Sequence, residues 1–240
     1  MSPIAADTLI LERSVAPSLP AAPSAVSAEV PEIWSVRLSL LGAALAVPAL
    51  VLLLGPSLAA GSARHVLSFS AYGLGLLSMF LSSALYHAHA GRERRFSKCL
   101  DYGAIGLMIA GNFTPYCTLA LTTPRAHWTL ALVWTLALGA LVLRVTRTDL
   151  SKWIFVTIFL LMGWLGLLVA PDLWRALGPT GCLLTALGGA IYTAGTLFFN
   201  RYQGDVELPG FGHHDVWHIF ILAAAGTHWL VLYLYMLPAR

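Results

Sequence analysis

The chain has 240 residues, of which 58% are hydrophobic and 10% charged, with a net charge of +3 and a mean hydropathy of +0.76. Soluble domains carry about 25% charged residues, so this chain has too little charge to coat a water-facing surface. That excludes a soluble enzyme, a disordered protein and a nucleic-acid binder, whose basic face would need many more Lys and Arg.

Residues 1–31 differ from the remainder. They are rich in Ala, Pro and Ser, and their one early apolar cluster runs straight into Glu12 and Arg13. A signal peptide would show a basic start, an apolar stretch and a small-residue cleavage site in that order. The segment is expected to be a flexible cytoplasmic tail without chemistry of its own, and residues 32–240 to form one membrane domain.

Seven apolar segments follow, at approximately 34–54, 65–86, 100–121, 128–143, 153–170, 181–199 and 214–237. A span needs roughly 20 apolar residues, and the fourth and fifth segments lie near the lower limit. Membrane strands alternate polar and apolar residues; these segments do not. In lipid every backbone group must be satisfied within its own segment, which leaves helices. The expected fold is all-α, a seven-transmembrane helix bundle. Trp34, Trp128 and Trp153 stand at segment ends, as interfacial anchors do. Pro115 is expected to kink the third segment.

The basic residues set the expected topology. Arg13, Arg37, Arg92, Arg94, Arg95, Lys98, Arg144, Arg147, Lys152 and Arg201 would share one side of a seven-span protein; Arg64, Arg125, Arg175 and Arg240 fall on the other. Cytoplasmic loops carry the excess of positive charge, so the N-terminus is expected inside and the C-terminus outside, in a bacterial inner membrane. The most basic stretch, GRERRFSK, reads as a loop that signals topology and touches anionic lipid headgroups.

Ionisable groups within apolar spans are costly and are functional candidates by default. His87 ends the second segment, Asp101 opens the third, and His214 and His218 open the seventh, so the expected topology brings all four to one depth. His214 and His218 are four apart and share a helix face. Two such nitrogens can reach one metal ion, and a third ligand from another helix leaves one position open for water. His87 is the natural third ligand. Ser83 lies one turn before it, able to orient its ring or touch the water, and Asp101 can accept a hydrogen bond from that water or from a ligand histidine. Zinc lowers the pKa of bound water to about 7, and a nearby carboxylate can take the proton as general base. Three imidazoles suit zinc better than magnesium or calcium, which prefer oxygen.

The other histidines fit less well. A five-residue step to His218 rotates His213 off the shared face, and His89 lies toward the loop. His228 is about 15 Å beyond His218 along the helix, and His65 and His127 fall at the opposite end. Each of the four groups also has an ordinary reading, the histidines as interhelical hydrogen-bonding residues and Asp101 as a charge complementing a helix dipole. Cys99, Cys117 and Cys182 are odd in number and far apart, which implies no disulfide framework. The glycines of YGLGLL and LTALGGAIYTAG fit close helix packing; no phosphate-binding loop and no nucleotide are expected.

At these residues the chain resembles the progestin and adipoQ receptor / hemolysin III family of seven-span membrane proteins, particularly its bacterial members. The resemblance rests on Ser83-x3-His87, on Asp101 with the following GNFTPY, and on His214-x3-His218. It implies an intramembrane zinc near the inner leaflet, with His87, His214 and His218 as ligands and Asp101 holding the water. One departure is visible: the family's Glu, Asn and His pattern entering the first span keeps Glu32 here, but Ser35 and Ser39 stand where Asn and His would be.

The expected function is that of a zinc-dependent intramembrane hydrolase of a lipid amide or ester, ceramidase-like by resemblance, with Asp101 as base and Ser83 assisting. An alternative is non-enzymatic: a structural zinc in a membrane-sensing or membrane-permeabilising protein, the cell-lysis phenotype behind the family name. Membrane lipids are the expected partners. A third reading takes His214-Asp215-Val216-Trp217-His218 as a metalloprotease variant with Asp215 as base, and a fourth a membrane haem carrier.

Overall fold

Long apolar stretches in lipid satisfy their own backbone only by coiling into helices, and the computed structural model is built of them. It describes residues 32–89, 91–147, 149–201 and 211–238; the expected tail at 1–31 lies outside that range. The elements are α1 (Ile33–Ala59), α2 (Ala63–Ala88), α3 (Gly91–Pro115), a π-helical turn (Tyr116–Ala120), α4 (Pro124–Thr146), α5 (Lys152–Trp164), α6 (Gly166–Arg201) and α7 (His213–Tyr235). No strand occurs among the described residues. Among the described residues five stretches are long and apolar enough to cross a membrane: Ile33–Ala59, Ala63–Ala88, Pro124–Thr146, Lys152–Phe199 and His213–Tyr235.

Two features depart from the sequence reading. The basic stretch GRERRFSK is not a loop: it forms the first turns of α3. Arg, Lys and Glu are good helix formers, Glu93 complements the positive end of the helix dipole, and Ser97 Oγ donates to the Glu93 carbonyl at 3.0 Å. These charges also keep α3 out of the five apolar stretches. Pro115 ends the regular α-helix, and the wider π turn follows it directly.

The expected fifth and sixth segments lie within one helical stretch of 48 residues, Lys152–Phe199. Straight, it would be about 72 Å long, more than twice a hydrocarbon core of roughly 30 Å. The chain instead doubles back. Gly178 has φ 68° and ψ 179°, a region open to glycine because it has no Cβ, and Pro179 follows. Cys182 Sγ lies 3.9 Å from the Ala170 carbonyl oxygen, whereas twelve residues of straight helix would separate them by about 18 Å.

Polar and apolar residues are distributed inside out relative to a soluble protein. Leu67, Leu74 and Trp128 are 71%, 66% and 77% exposed, while Ser35, Ser39, Ser83, His87, Asp215 and His218 are buried. Neighbouring helices pack α1 on α2, α2 on α3, α3 on α4 and α6 on α7, and α7 also returns to α1. The Trp229 indole N–H donates to the Ala49 carbonyl at 3.0 Å, holding α7 to α1. At the end where α4 begins, Arg125 pairs with Asp172 at 2.8 Å and Thr123 donates to the same carboxylate at 3.0 Å.

The α2–α3 interface requires small residues, as close helix pairs in membranes do. A Cβ at Gly111 would lie 2.5 Å from the Ala71 carbonyl oxygen, and one at Gly75 would lie 2.9 Å from that of Leu107. Backbone cannot step aside as a side chain can. Gly111→Val is expected to cost about 1–3 kcal/mol as overpacking, seen as a thermal midpoint several degrees below wild type.

Candidate metal centre

Packing of α7 against α1, and of α1 against α2, brings the last turn of α2 beside the first turns of α7. His87, His214 and His218 meet there. Their ring centroids are 4.6 Å apart for His87–His214, 5.1 Å for His87–His218 and 5.2 Å for His214–His218. The four-residue step puts the two α7 rings on one face, where they lie nearly parallel, and the His87 ring stands almost perpendicular to both. One ligand atom from each lies within 4.8 Å of the others, so the group can hold a metal ion. His87 and His218 are buried and His214 is half-buried.

The donor set fits a cation better than it fits an empty space. His87 Nδ1 lies 2.5 Å from Glu32 Oε2. An ionised carboxylate only accepts, so Nδ1 carries the proton and Nε2 presents its lone pair. That lone pair faces His218 Nε2 across 3.3 Å. Two nitrogens each about 2.0–2.1 Å from one tetrahedral ion stand roughly 3.3 Å apart. Carboxylate, imidazole and ion site thus follow the order in which a carboxylate fixes a ligand histidine's tautomer and raises its basicity.

Glu32, which the sequence analysis noted but gave no role at the site, joins this group. It sits immediately before α1 and reaches His87 at 2.5 Å and His214 Nδ1 at 3.9 Å with the same oxygen. Its signal in the sequence was a carboxylate directly before an apolar segment, on the side to which the histidines were assigned. Glu32→Gln keeps an acceptor for His87 but removes the charge. It is expected to weaken metal binding about 10–100-fold, measured by chelator competition on the purified protein.

The first helix contributes more than Glu32. Ser35 Oγ donates to Asp215 Oδ1 at 2.6 Å, and Ser39 Oγ donates to Ser83 Oγ at 3.2 Å. Asp215 Oδ2 accepts from the Gly212 backbone N–H at 2.7 Å, capping α7. Both Asp215 oxygens are therefore engaged in holding the start of α7 against α1, which argues against Asp215 as a free base. Ser83 is buried one turn below His87. Asp101 lies within electrostatic reach of His87 and Lys98 and stands outside the three-histidine group.

Four of the remaining five histidines have partners elsewhere. His213 stacks on Phe199 at 5.7 Å, His89 Nδ1 pairs with Ser97 Oγ, and His65 Nδ1 pairs with Ser62 Oγ at 2.7 Å. His228 Nδ1 lies 3.1 Å from the Tyr116 hydroxyl.

Comparison with known proteins gives the family. Residues 27–229 match the family model described as "Haemolysin-III related". The chain is 31% identical to "Hemolysin-3" of Bacillus cereus over 199 residues, covering 82% of this chain and 88% of that protein. It is also 31% identical to "Hemolysin-3 homolog" of Bacillus subtilis (strain 168) over 196 residues, covering 81% and 89%. The chain belongs to the haemolysin-III related family and is a membrane protein.

Proposed function

We propose that this haemolysin-III related protein is a zinc-dependent hydrolase of lipid amide or ester bonds, working within a bacterial inner membrane. The observation that carries the reading is the convergence of three imidazoles, backed by Glu32, at one end of the helix bundle. Imidazole donors favour zinc and its transition-metal neighbours over magnesium or calcium, and His87, His214 and His218 would hold the ion. When bound, zinc supplies Lewis acidity toward water and toward a carbonyl oxygen.

The protein's own groups supply the remainder. Asp101 takes the proton that water loses as it attacks the carbonyl carbon, and returns it to the amine or alcohol that leaves. Ser83, whose oxygen accepts from Ser39, keeps its own proton to offer to the substrate. Glu32 holds the His87 ring, and Asp215 holds the start of α7. The lipid-facing side chains admit a substrate along the membrane plane, its acyl chain among the apolar helices and its linkage at the imidazoles.

In this reading the bundle has seven spans, α3 and the two arms that meet at Gly178 included, with the N-terminus cytoplasmic and the C-terminus outside. Lys98, Arg144, Lys152 and Arg201 begin or end helices at the end that carries the histidines, as the positive-inside rule requires of the inner face. The test of function is turnover of acyl-amide and acyl-ester lipids by purified protein in mixed micelles. Turnover lost in His214→Ala supports the proposal; turnover unchanged in that variant overturns it.

The names of the two Bacillus relatives favour a second reading, membrane permeabilisation with a structural metal. Dye release from vesicles, without lipid turnover, would favour that reading over hydrolysis.

A further inference from the structure

A second polar cluster lies inside the bundle, about 15 Å along α7 from His218. His228 Nδ1 pairs with the Tyr116 hydroxyl at 3.1 Å, and Tyr192 of α6 stacks on the His228 ring at 6.0 Å with 21° between the planes. Tyr116 opens the π-helical turn, an irregularity that occurs often at functional sites. Tyr72 of α2 faces Tyr116 and Tyr192 within electrostatic reach. It is 2% exposed, yet its hydroxyl has no hydrogen-bond partner. The side-chain oxygen of Asn112, one turn before Tyr116 on α3, is likewise buried without a partner.

Two orphaned oxygens, each shut off from solvent, call for a partner. Tyr72 can donate or accept, and the Asn112 oxygen only accepts. Tyrosine, asparagine and a histidine bound to a tyrosine carry no formal charge, so an ion here would lack a counter-charge. A group that both donates and accepts, and is itself neutral, completes the set.

We propose that Tyr72, Asn112 and the Tyr116–His228 pair form a second binding site, which takes a neutral hydroxyl oxygen, either an ordered water or the hydroxyl of a long-chain lipid. The site is separate from the metal centre and does not depend on the protein's being a hydrolase.

The test is thermal unfolding of the full-length protein in detergent, as wild type, Tyr72→Phe and Asn112→Leu, with and without dodecanol or dodecane. An orphaned hydroxyl destabilises the protein, so with no guest its removal would raise the midpoint or leave it unchanged. With a guest, each variant loses a partner and its midpoint falls by roughly 2–4 °C. If dodecanol but not dodecane raises the wild-type midpoint, and Tyr72→Phe abolishes that rise, the guest is a lipid hydroxyl. If both variants are less stable and neither additive acts, it is water. Variants as stable as wild type or more so, with no response to dodecanol, would overturn the proposal.

Discussion

Replacing His87 by alanine is expected to reduce bound zinc from about one ion per chain to less than a tenth of that. His87 is the only one of the three rings carried by α2, and Glu32 locks it in the tautomer that offers Nε2. Removing it leaves two imidazoles from one helix, which cannot close a three-ligand site. Stability should fall as well, because an ion bound only by the folded state stabilises it. That contribution is about 2.7 kcal/mol when free metal exceeds the dissociation constant a hundredfold. Elemental analysis and thermal unfolding, with and without added zinc, check both effects. The wild type should unfold at higher temperature when zinc is added, and His87→Ala should not respond.

Asp101→Asn is expected to separate catalysis from metal binding. Asp101 stands outside the ligand group but near His87, so the amide should leave zinc content at the wild-type level. An amide cannot take a proton from water, and loss of a general base typically costs 10²–10⁴-fold in rate. Lipid turnover should fall by about that factor while the metal stays. Unchanged turnover would remove Asp101 from its role, and joint loss of metal and turnover would recast it as a residue that supports the site.

The helices and the histidine cluster were both legible in the sequence, for the same reason. Long apolar runs leave the backbone no partner but itself, and the step from His214 to His218 fixes two rings on one face whatever surrounds them. Alternation of the seven expected spans then puts His87 at the same end of the bundle. Other features were hidden because they depend on packing. Glu32 is 55 residues from His87 and 182 from His214, and only the packing of α1 against both α2 and α7 unites them. Ser35 and Ser39 read as losses against the family pattern, yet they tie α1 to Asp215 and Ser83. The helical nature of GRERRFSK was obscured by its charge, since the search for spans looked only for apolar runs. The reversal at Gly178 fell between two expected spans, but nothing in the sequence indicated that helix would run almost unbroken up to it.

X-ray absorption at the zinc edge of the purified protein tests the central claim most directly. A first shell of nitrogen and oxygen near 2.0–2.1 Å, with the outer-shell scattering of three imidazoles and no sulfur, is the predicted result. A shell containing thiolate sulfur near 2.3 Å, or a protein that takes up no zinc at all, would contradict it.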